Sequence, residues 1–279
     1  MLNNIKKYGI KLFDVSLRDG LQSLPKILSF AQKKSIFHRI INKYNPENIE
    51  VGSIVSDKIL PQLKDSRELF KHGENIGQEN MFLLIPNFKN YVNIMSTSDS
   101  NIKLKNISLI TSVSESFIKK NSNMSEKQNL SSIELILNHN IYGNRHDNRL
   151  NNIKLYISCI NECPIDGKLD NDFVIEKIKT YLKFSEITEF CLSDTCGSLK
   201  FNDYKYIIDN TLKYIEPSKI GLHLHSSDEI KKIINYSVIN DIKKFDVSCL
   251  ENTGGCVVTM SRKKINSNLT YEQLESLLE

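Results

Sequence analysis

Two histidines one residue apart, His223-Leu-His225, are the sharpest chemical signal in the sequence. On a β-strand, residues i and i+2 point to the same face, so both imidazoles can reach one ion. A lone His-x-His is more often one buried, hydrogen-bonded ring beside one surface ring. Here Gly221 precedes the pair, and acidic residues stand at the ends of other apolar runs. Two imidazoles and one carboxylate with open positions suit a divalent cation that must also bind substrate. Asp19, in Ser16-Leu-Arg18-Asp19-Gly20-Leu-Gln22, is the candidate carboxylate, and Arg18 then faces the substrate. The bland alternative for Arg18 and Asp19 is an exposed ion pair of little energetic weight. Asp14 and Glu50 lie inside apolar strands, where a carboxylate needs a partner, and Arg18 or a lysine is the obvious one. Either acid has a purely structural alternative. Cys256, in Asn252-Thr-Gly-Gly-Cys256, is a thiol beside two glycines and a candidate for acid/base work. Cys159, Cys191, Cys196 and Cys249 read instead as small buried hydrophobes.

These residues need a scaffold that gathers strand ends. Short apolar, β-branched or aromatic runs predict strands at Ile10–Val15, Ile49–Val55, Met81–Ile85, Ile107–Thr111, Lys154–Ser158, Glu189–Leu192, Ile220–His225 and Lys244–Ser248. Between them, amphipathic stretches predict helices such as Ser29–Tyr44, Lys58–Phe70, Glu126–Leu137, Asp170–Phe184, Asn202–Tyr214 and Asp228–Asn240. Ser125, Asn202 and Ser227 are the expected N-caps. Such alternation implies a parallel sheet. Eight units in 279 residues match a (β/α)₈ TIM barrel, taken as one domain over residues 1–279. A doubly wound open sheet competes less well, because no Gly-rich phosphate loop follows the first strand. In a barrel the C-terminal strand ends form the site, and the polar residues fall there in turn. They include Gln22, Ser114, Ser158 and Lys168 as substrate-binding candidates, Ser193-Asp194-Thr195, and Asp246-Val-Ser248. The polar stretch Asn138–Asn152 reads as an enlarged surface loop.

The bulk numbers bound the function. The chain is 40% apolar and 25% charged, and its net charge of +4 is spread as mixed lysines and acids. No block of like charge resembles a nucleic-acid arm. No apolar run approaches the roughly 20 residues that span a bilayer, and the N-terminus has no signal or transit character. A cytoplasmic protein with reduced thiols is expected. The cysteine spacings, 159/163 and 191/196, lack the CxxC of a structural zinc site.

Together the motifs resemble 3-hydroxy-3-methylglutaryl-CoA (HMG-CoA) lyase, within the metallolyase and Claisen-condensing TIM-barrel superfamily. Asp14-Val-Ser-Leu-Arg-Asp-Gly-Leu-Gln22 resembles the family's first-strand signature, and Ile49–Gln62 its second-strand segment. Ser112–Asn121, Tyr156–Pro164, Leu192–Thr195 and Gly254-Gly-Cys256 are similar to further lyase segments. The resemblance implies metal ligation by Asp19, His223 and His225, with Mg²⁺ or Mn²⁺ as the cation and Asn268 as a further ligand. It implies that Arg18 polarises a thioester carbonyl, that Cys256 is an acid/base residue and that Glu50 belongs to the active-site shell. Asp194, through water, or a metal-site histidine is the expected base. Lys119, Lys120 and Lys168 are candidates for the CoA phosphates. Three departures stand out: Ser226 directly after the histidine pair, Val257 after Cys256, and an end at Glu279 where the family continues. The implied activity is retro-Claisen cleavage of HMG-CoA to acetyl-CoA and acetoacetate, with an acyl-CoA as partner and a homodimer as one admissible assembly. The alternatives are a related aldol or Claisen enzyme acting on another acyl-CoA or 2-oxo acid, or a lyase-like barrel that binds without turnover.

Overall fold

The computed structural model describes residues 2–96, 102–143, 149–256, 258–260 and 266–278. Eight strands close a parallel barrel: β1 (Lys11–Asp14), β2 (Asn48–Ser53), β3 (Met81–Leu84), β4 (Asn106–Ser112), β5 (Asn152–Ser158), β8 (Glu189–Ser193), β9 (Ile220–His223) and β10 (Lys244–Val247). The strands follow one another around the ring in chain order, and β10 pairs with β1 to seal it. The expected TIM barrel is therefore the fold. β6 (Glu162–Cys163) and β7 (Gly167–Lys168) form a separate antiparallel ribbon after β5.

The strands read as nearly continuous apolar runs because both of their faces are buried. In β5, Ile153, Leu155 and Ile157 join the main core between the barrel and its helices, whereas Lys154 and Tyr156 point into the barrel. There the Lys154 ammonium stands over Phe13, which packs edge-on against Phe82 with ring centroids 5.0 Å apart.

Ser125 caps α6 (Glu126–Asn138) with a full capping box, as expected. The other two expected caps are corrected. α8 (Phe201–Thr211) starts before Asn202, and the amide of Phe201 is held at 2.6 Å by Glu229 from the next unit. α9 (Ile230–Ile239) starts after Glu229, two residues beyond Ser227. The single helix expected over Lys58–Phe70 is a 3₁₀ turn opened by Pro61, followed by α3 (Ser66–Asn75). Helices α1 (Asn3–Lys7), α4 (Phe88–Ser96), α5 (Glu115–Ser122) and α10 (Tyr271–Leu277) complete the ring together with α2 (Phe30–Arg39) and α7 (Asn171–Leu182). The Glu275 carboxylate accepts the amides of Asn4 and Ile5 at 2.8 and 3.0 Å, which fastens α10 to α1. Among the described residues, no helix is long and apolar enough to cross a membrane.

Candidate metal centre and active site

A π-helical turn, Ser16–Gly20, follows β1. The Asp14 carboxylate accepts the Ser16 amide at 2.8 Å, and the Gly20 amide reaches the Val15 carbonyl at 3.1 Å. This wide turn brings Arg18 and Asp19 to the wall of the cavity at the barrel mouth. Asp19 is then fixed by four donors: Arg18 Nη1 at 2.7 Å, Gln22 Nε2 at 2.6 Å, the Gly255 amide at 2.8 Å and Asn268 Nδ2 at 3.0 Å. The last two depend on Gly254. Its φ of +112° suits only glycine, and a side chain there would run into the Asn268 amide.

His223 and His225 rise from β9 and the residues just beyond it. Nδ1 of His223 lies 3.0 Å from Asp246 Oδ2, and Nδ1 of His225 lies 2.6 Å from the Asp194 carbonyl. A carbonyl only accepts, so Nδ1 of His225 carries the proton and Nε2 offers its lone pair. Nε2 of His225 is buried with no hydrogen-bond partner, and so is Oδ1 of Asn268. One ligand atom each from Asp19, His223 and His225 falls within 4.8 Å of the other two. Burial pushes the Asp19 carboxyl up, but Arg18 and the two imidazoles outweigh it and hold it at about 2. Burial lowers His225 to about 4, with His223 adding to the effect. The centre is therefore an anionic carboxylate beside a neutral imidazole, with orphaned donor atoms that a divalent cation would satisfy.

Arg18 binds Glu50 through Nε and lies with its guanidinium 4.9 Å from the centre of the Tyr156 ring. Tyr156 also donates to Glu50 at 3.2 Å. Glu50 thus has the arginine partner expected for it. A cavity of about 390 Å³ opens over these groups, lined by Arg18, Asp19, Gln22, Ser158, His223, His225 and Cys256. Val55, Leu60, Pro86, Ile110 and Phe117 supply an apolar wall, and Lys120 and Asn121 also line it. The Cys256 thiol is 3.5 Å from Asn121 Oδ1, and burial raises its pKa, which keeps it protonated.

A family model described as HMGL-like matches residues 9–230. The chain belongs to that family. It is 25% identical over 276 residues to the mitochondrial hydroxymethylglutaryl-CoA lyase of Macaca fascicularis, covering 97% of this chain and 78% of that protein. It is 27% identical over 248 residues to the 3-hydroxy-3-isohexenylglutaryl-CoA/hydroxy-methylglutaryl-CoA lyase of Pseudomonas aeruginosa, covering 88% and 78%. The crystal structure of a hydroxymethylglutaryl-CoA lyase from Pseudomonas aeruginosa superposes with a TM-score of 0.79 at 26% identity, covering 96% of this chain and 84% of that one. The HMG-CoA lyases among these relatives are carbon–carbon lyases, so the family resemblance and the enzyme class both hold.

Not every residue expected from the HMGL-like pattern faces the cavity. Ser114 caps α5, accepting the Phe117 amide at 3.0 Å and donating to Asp166 at 2.6 Å. Lys168 is half exposed and pairs with Asp203 at 2.6 Å, and Lys119 does not line the cavity either. The Asp194 carboxylate accepts the amides of Ser198 and Leu199, both at 3.2 Å, and burial raises it to about 6. Its backbone carbonyl, not its side chain, serves the centre. Asp14 is corrected more plainly: its partners are the Tyr271 hydroxyl at 2.7 Å and Ser16, not Arg18 or a lysine. Ser226 turns to Ser267, its amide donating to the Ser267 carbonyl at 2.9 Å, and does not line the cavity. Val257 lies outside the described residues. Sequence reasoning placed Asp246 among the strand-end polar residues without a role, and gave none to Lys154 or Tyr156. For Lys154 and Asp246 the signal was opposite charge placed inside two apolar strands, β5 and β10.

Proposed function

We propose that the protein is a divalent-metal-dependent lyase that cleaves HMG-CoA to acetyl-CoA and acetoacetate by a retro-Claisen reaction. The observation that carries this reading is the convergence of Asp19, His223 and His225, with unpartnered donor atoms, on the wall of the cavity that also holds Arg18 and Cys256. Mg²⁺ or Mn²⁺ would be held by those three residues, with Asn268 Oδ1 as a fourth donor. Bound there, it supplies Lewis acidity to the substrate's tertiary hydroxyl and its neighbouring oxygens.

The chain's own residues then divide the work. Arg18 is braced by two carboxylates and a tyrosine ring at the cavity wall, and its remaining N–H donors would meet the thioester oxygen as it gathers charge. Such preorganised donors contribute about 10²–10³ in rate. The hydroxyl proton passes to water in the open cavity, because the Asp194 carboxylate is engaged by backbone amides off the cavity and each imidazole would give Nε2 to the cation while its Nδ1 faces an acceptor. As the carbon–carbon bond breaks, its electron pair passes to the acetyl-CoA carbon, and the protonated Cys256 thiol supplies the proton that carbon needs. Gln22 steadies both Asp19 and the Gly255 carbonyl, and so ties the thiol's loop to the first strand. Lys120 is the lining lysine suited to the CoA phosphates.

The test is acetoacetate formation from HMG-CoA with and without Mn²⁺, in wild type, His223→Ala and Cys256→Ala. The expected result is metal-dependent turnover, lost in both variants, with Mn²⁺ binding lost only in His223→Ala. Tight Mn²⁺ binding without turnover in wild type would overturn the substrate. No Mn²⁺ binding at all would overturn the centre.

A further inference from the structure

Beneath the metal-binding trio, the barrel interior holds a second knot of charge that the proposed reaction does not use. Lys154 points inward from β5 and is 1% exposed. Its ammonium is hydrogen-bonded to Asp246 Oδ1, lies 3.0 Å from Glu189 Oε1 and stands 3.5 Å over the centre of the Phe13 ring. Glu189, Cys191 and Asp246 bring ligand atoms within 4.8 Å of one another, as a metal site would, but the lysine is already bound to both carboxylates. Glu189 is held in turn by Lys244 at 3.5 Å, and it lies against Gly221, where any Cβ would meet its carboxyl carbon at 2.9 Å. The glycine two residues before His223 is thus the space that the Glu189 carboxylate occupies.

Stability alone gives no reason for this arrangement, because apolar side chains of similar volume usually fill a barrel at lower cost than a buried ion pair. What the pair does is divide the Asp246 carboxylate. Lys154 takes Oδ1, and Oδ2 is left facing Nδ1 of His223 at 3.0 Å. We propose that Lys154 is a positioning residue for the metal centre, locking Asp246 so that His223 carries its proton on Nδ1 and presents Nε2 to the cation. Without the ammonium, Oδ1 of Asp246 loses its partner and Oδ2 keeps only His223 and a 3.8 Å contact from Cys191 Sγ, which loosens the hold on the tautomer and ring plane of His223. Outer partners of this kind change metal affinity by about 10–100-fold. The binding half of this inference rests on the metal reading above; the tautomer half does not.

The experiment measures Mn²⁺ affinity from the electron paramagnetic resonance signal of the free ion, alongside thermal melts that establish folding. The proteins are wild type, Asp246→Asn, Lys154→Met, Lys154→Arg and the Lys154→Met/Asp246→Asn double variant. A ¹⁵N-imidazole spectrum of each metal-free protein reads the His223 tautomer. Asp246→Asn should lose about 10–100-fold in affinity. Lys154→Met should lose most of that, Lys154→Arg should restore it, and the double variant should be no weaker than Asp246→Asn. In Lys154→Met the single Nδ1–H species should give way to mixed tautomers. A folded Lys154→Met with wild-type affinity and an unchanged spectrum would overturn the proposal, as would full additivity in the double variant. Should Lys154→Met not fold, the double variant, which removes both charges of the Lys154–Asp246 pair and leaves Glu189 its Lys244, decides the question against Asp246→Asn alone. Wild-type protein that binds no Mn²⁺ would fail the metal reading, and the tautomer spectra would then judge Lys154 by themselves.

Discussion

Replacing Arg18 with glutamine removes one cation that serves two buried carboxylates. Asp19 loses a 2.7 Å bond but keeps Gln22, the Gly255 amide and Asn268. Glu50 fares worse. It is fully buried, its Oε1 has no partner, and once Arg18 is gone its Oε2 keeps only the Tyr156 hydroxyl at 3.2 Å. Stranding one member of a buried pair costs about 3–5 kcal/mol. At roughly 2–4 °C per kcal/mol for a domain near this size, the melting temperature should fall by about 6–20 °C. Turnover should fall separately, by about 10²–10³ in kcat/KM, for loss of the donor proposed to face the thioester oxygen. The two effects part in Arg18→Gln/Glu50→Gln, where no buried charge of the pair is left unanswered. That variant should regain most of the melting temperature and none of the activity. Circular-dichroism melts of metal-free protein and initial rates of acetoacetate formation are the two assays. A wild-type melting temperature in Arg18→Gln would refute the ion-pair reasoning, and recovered turnover in the double variant would refute the catalytic role.

Burial raises the Asp14 carboxyl from 3.8 to about 6 against the pull of its hydrogen bonds from Tyr271 and Ser16. A shift of about two units corresponds to roughly 3 kcal/mol. The folded state binds this proton more tightly than the unfolded one, so the stabilisation is complete below about pH 4 and lost as pH rises through about 6. Asp14→Asn cannot ionise, and its stability advantage over wild type in urea melts should grow across that window and then level off; a gap independent of pH would contradict the assignment. Gly254→Ala forces an unfavourable φ, costing about 1–3 kcal/mol, and displaces Asn268 from Asp19. It should therefore weaken Mn²⁺ binding as well as lower the melting temperature, and unchanged Mn²⁺ affinity would count against Asn268 as part of the centre. Lys168→Ala removes a half-exposed pair with Asp203, worth at most about 1 kcal/mol, outside the cavity. Its kcat/KM and its KM for HMG-CoA should stay at wild-type values.

The barrel was legible because each unit repeats one pattern, a strand buried on both faces followed by an amphipathic helix. Period two along β9 was enough to put His223 and His225 on one face, and Gly20 after Arg18-Asp19 marked the turn that carries them to the mouth. What escaped was contact between distant strands. Nothing local in Asn152–Ser158 says that Lys154 meets Asp246, because that pairing depends on how β5 and β10 face each other across a closed barrel. Asp14 misled for the same reason. Arg18 follows it within the same short motif, yet its partner is Tyr271, brought back by the last helix 257 positions along the chain. Helix starts failed where the cap came from another unit, as when Glu229 holds the amide of Phe201.

Those hidden contacts change what the legible ones mean. The proposed ligands do not stand alone at a rim: two of them, His223 and Asp19, lie within a line of charged and polar side chains running through the barrel. In order of contact it reads Lys154, Asp246, His223, Asp19, Arg18, Glu50, with hydrogen-bonded ion pairs at both ends and a 3.9 Å approach between His223 and Asp19 at the centre. Along that line three carboxylates face two permanent cations, so one negative charge is unmatched. Asp19 is held ionised at about 2 in spite of its burial, and the shortfall therefore stays in place at neutral pH. The Asp19 carboxylate sits beside residues whose buried atoms lack hydrogen-bond partners, His225 Nε2 and Asn268 Oδ1. Orphaned lone pairs and an excess of negative charge at one point are both relieved by the same thing, a small cation, whereas a water there would answer only the first. That coincidence is why the residues fit a metal centre better than a polar core cluster, and why the line behind His223 would bear on how tightly an ion is held.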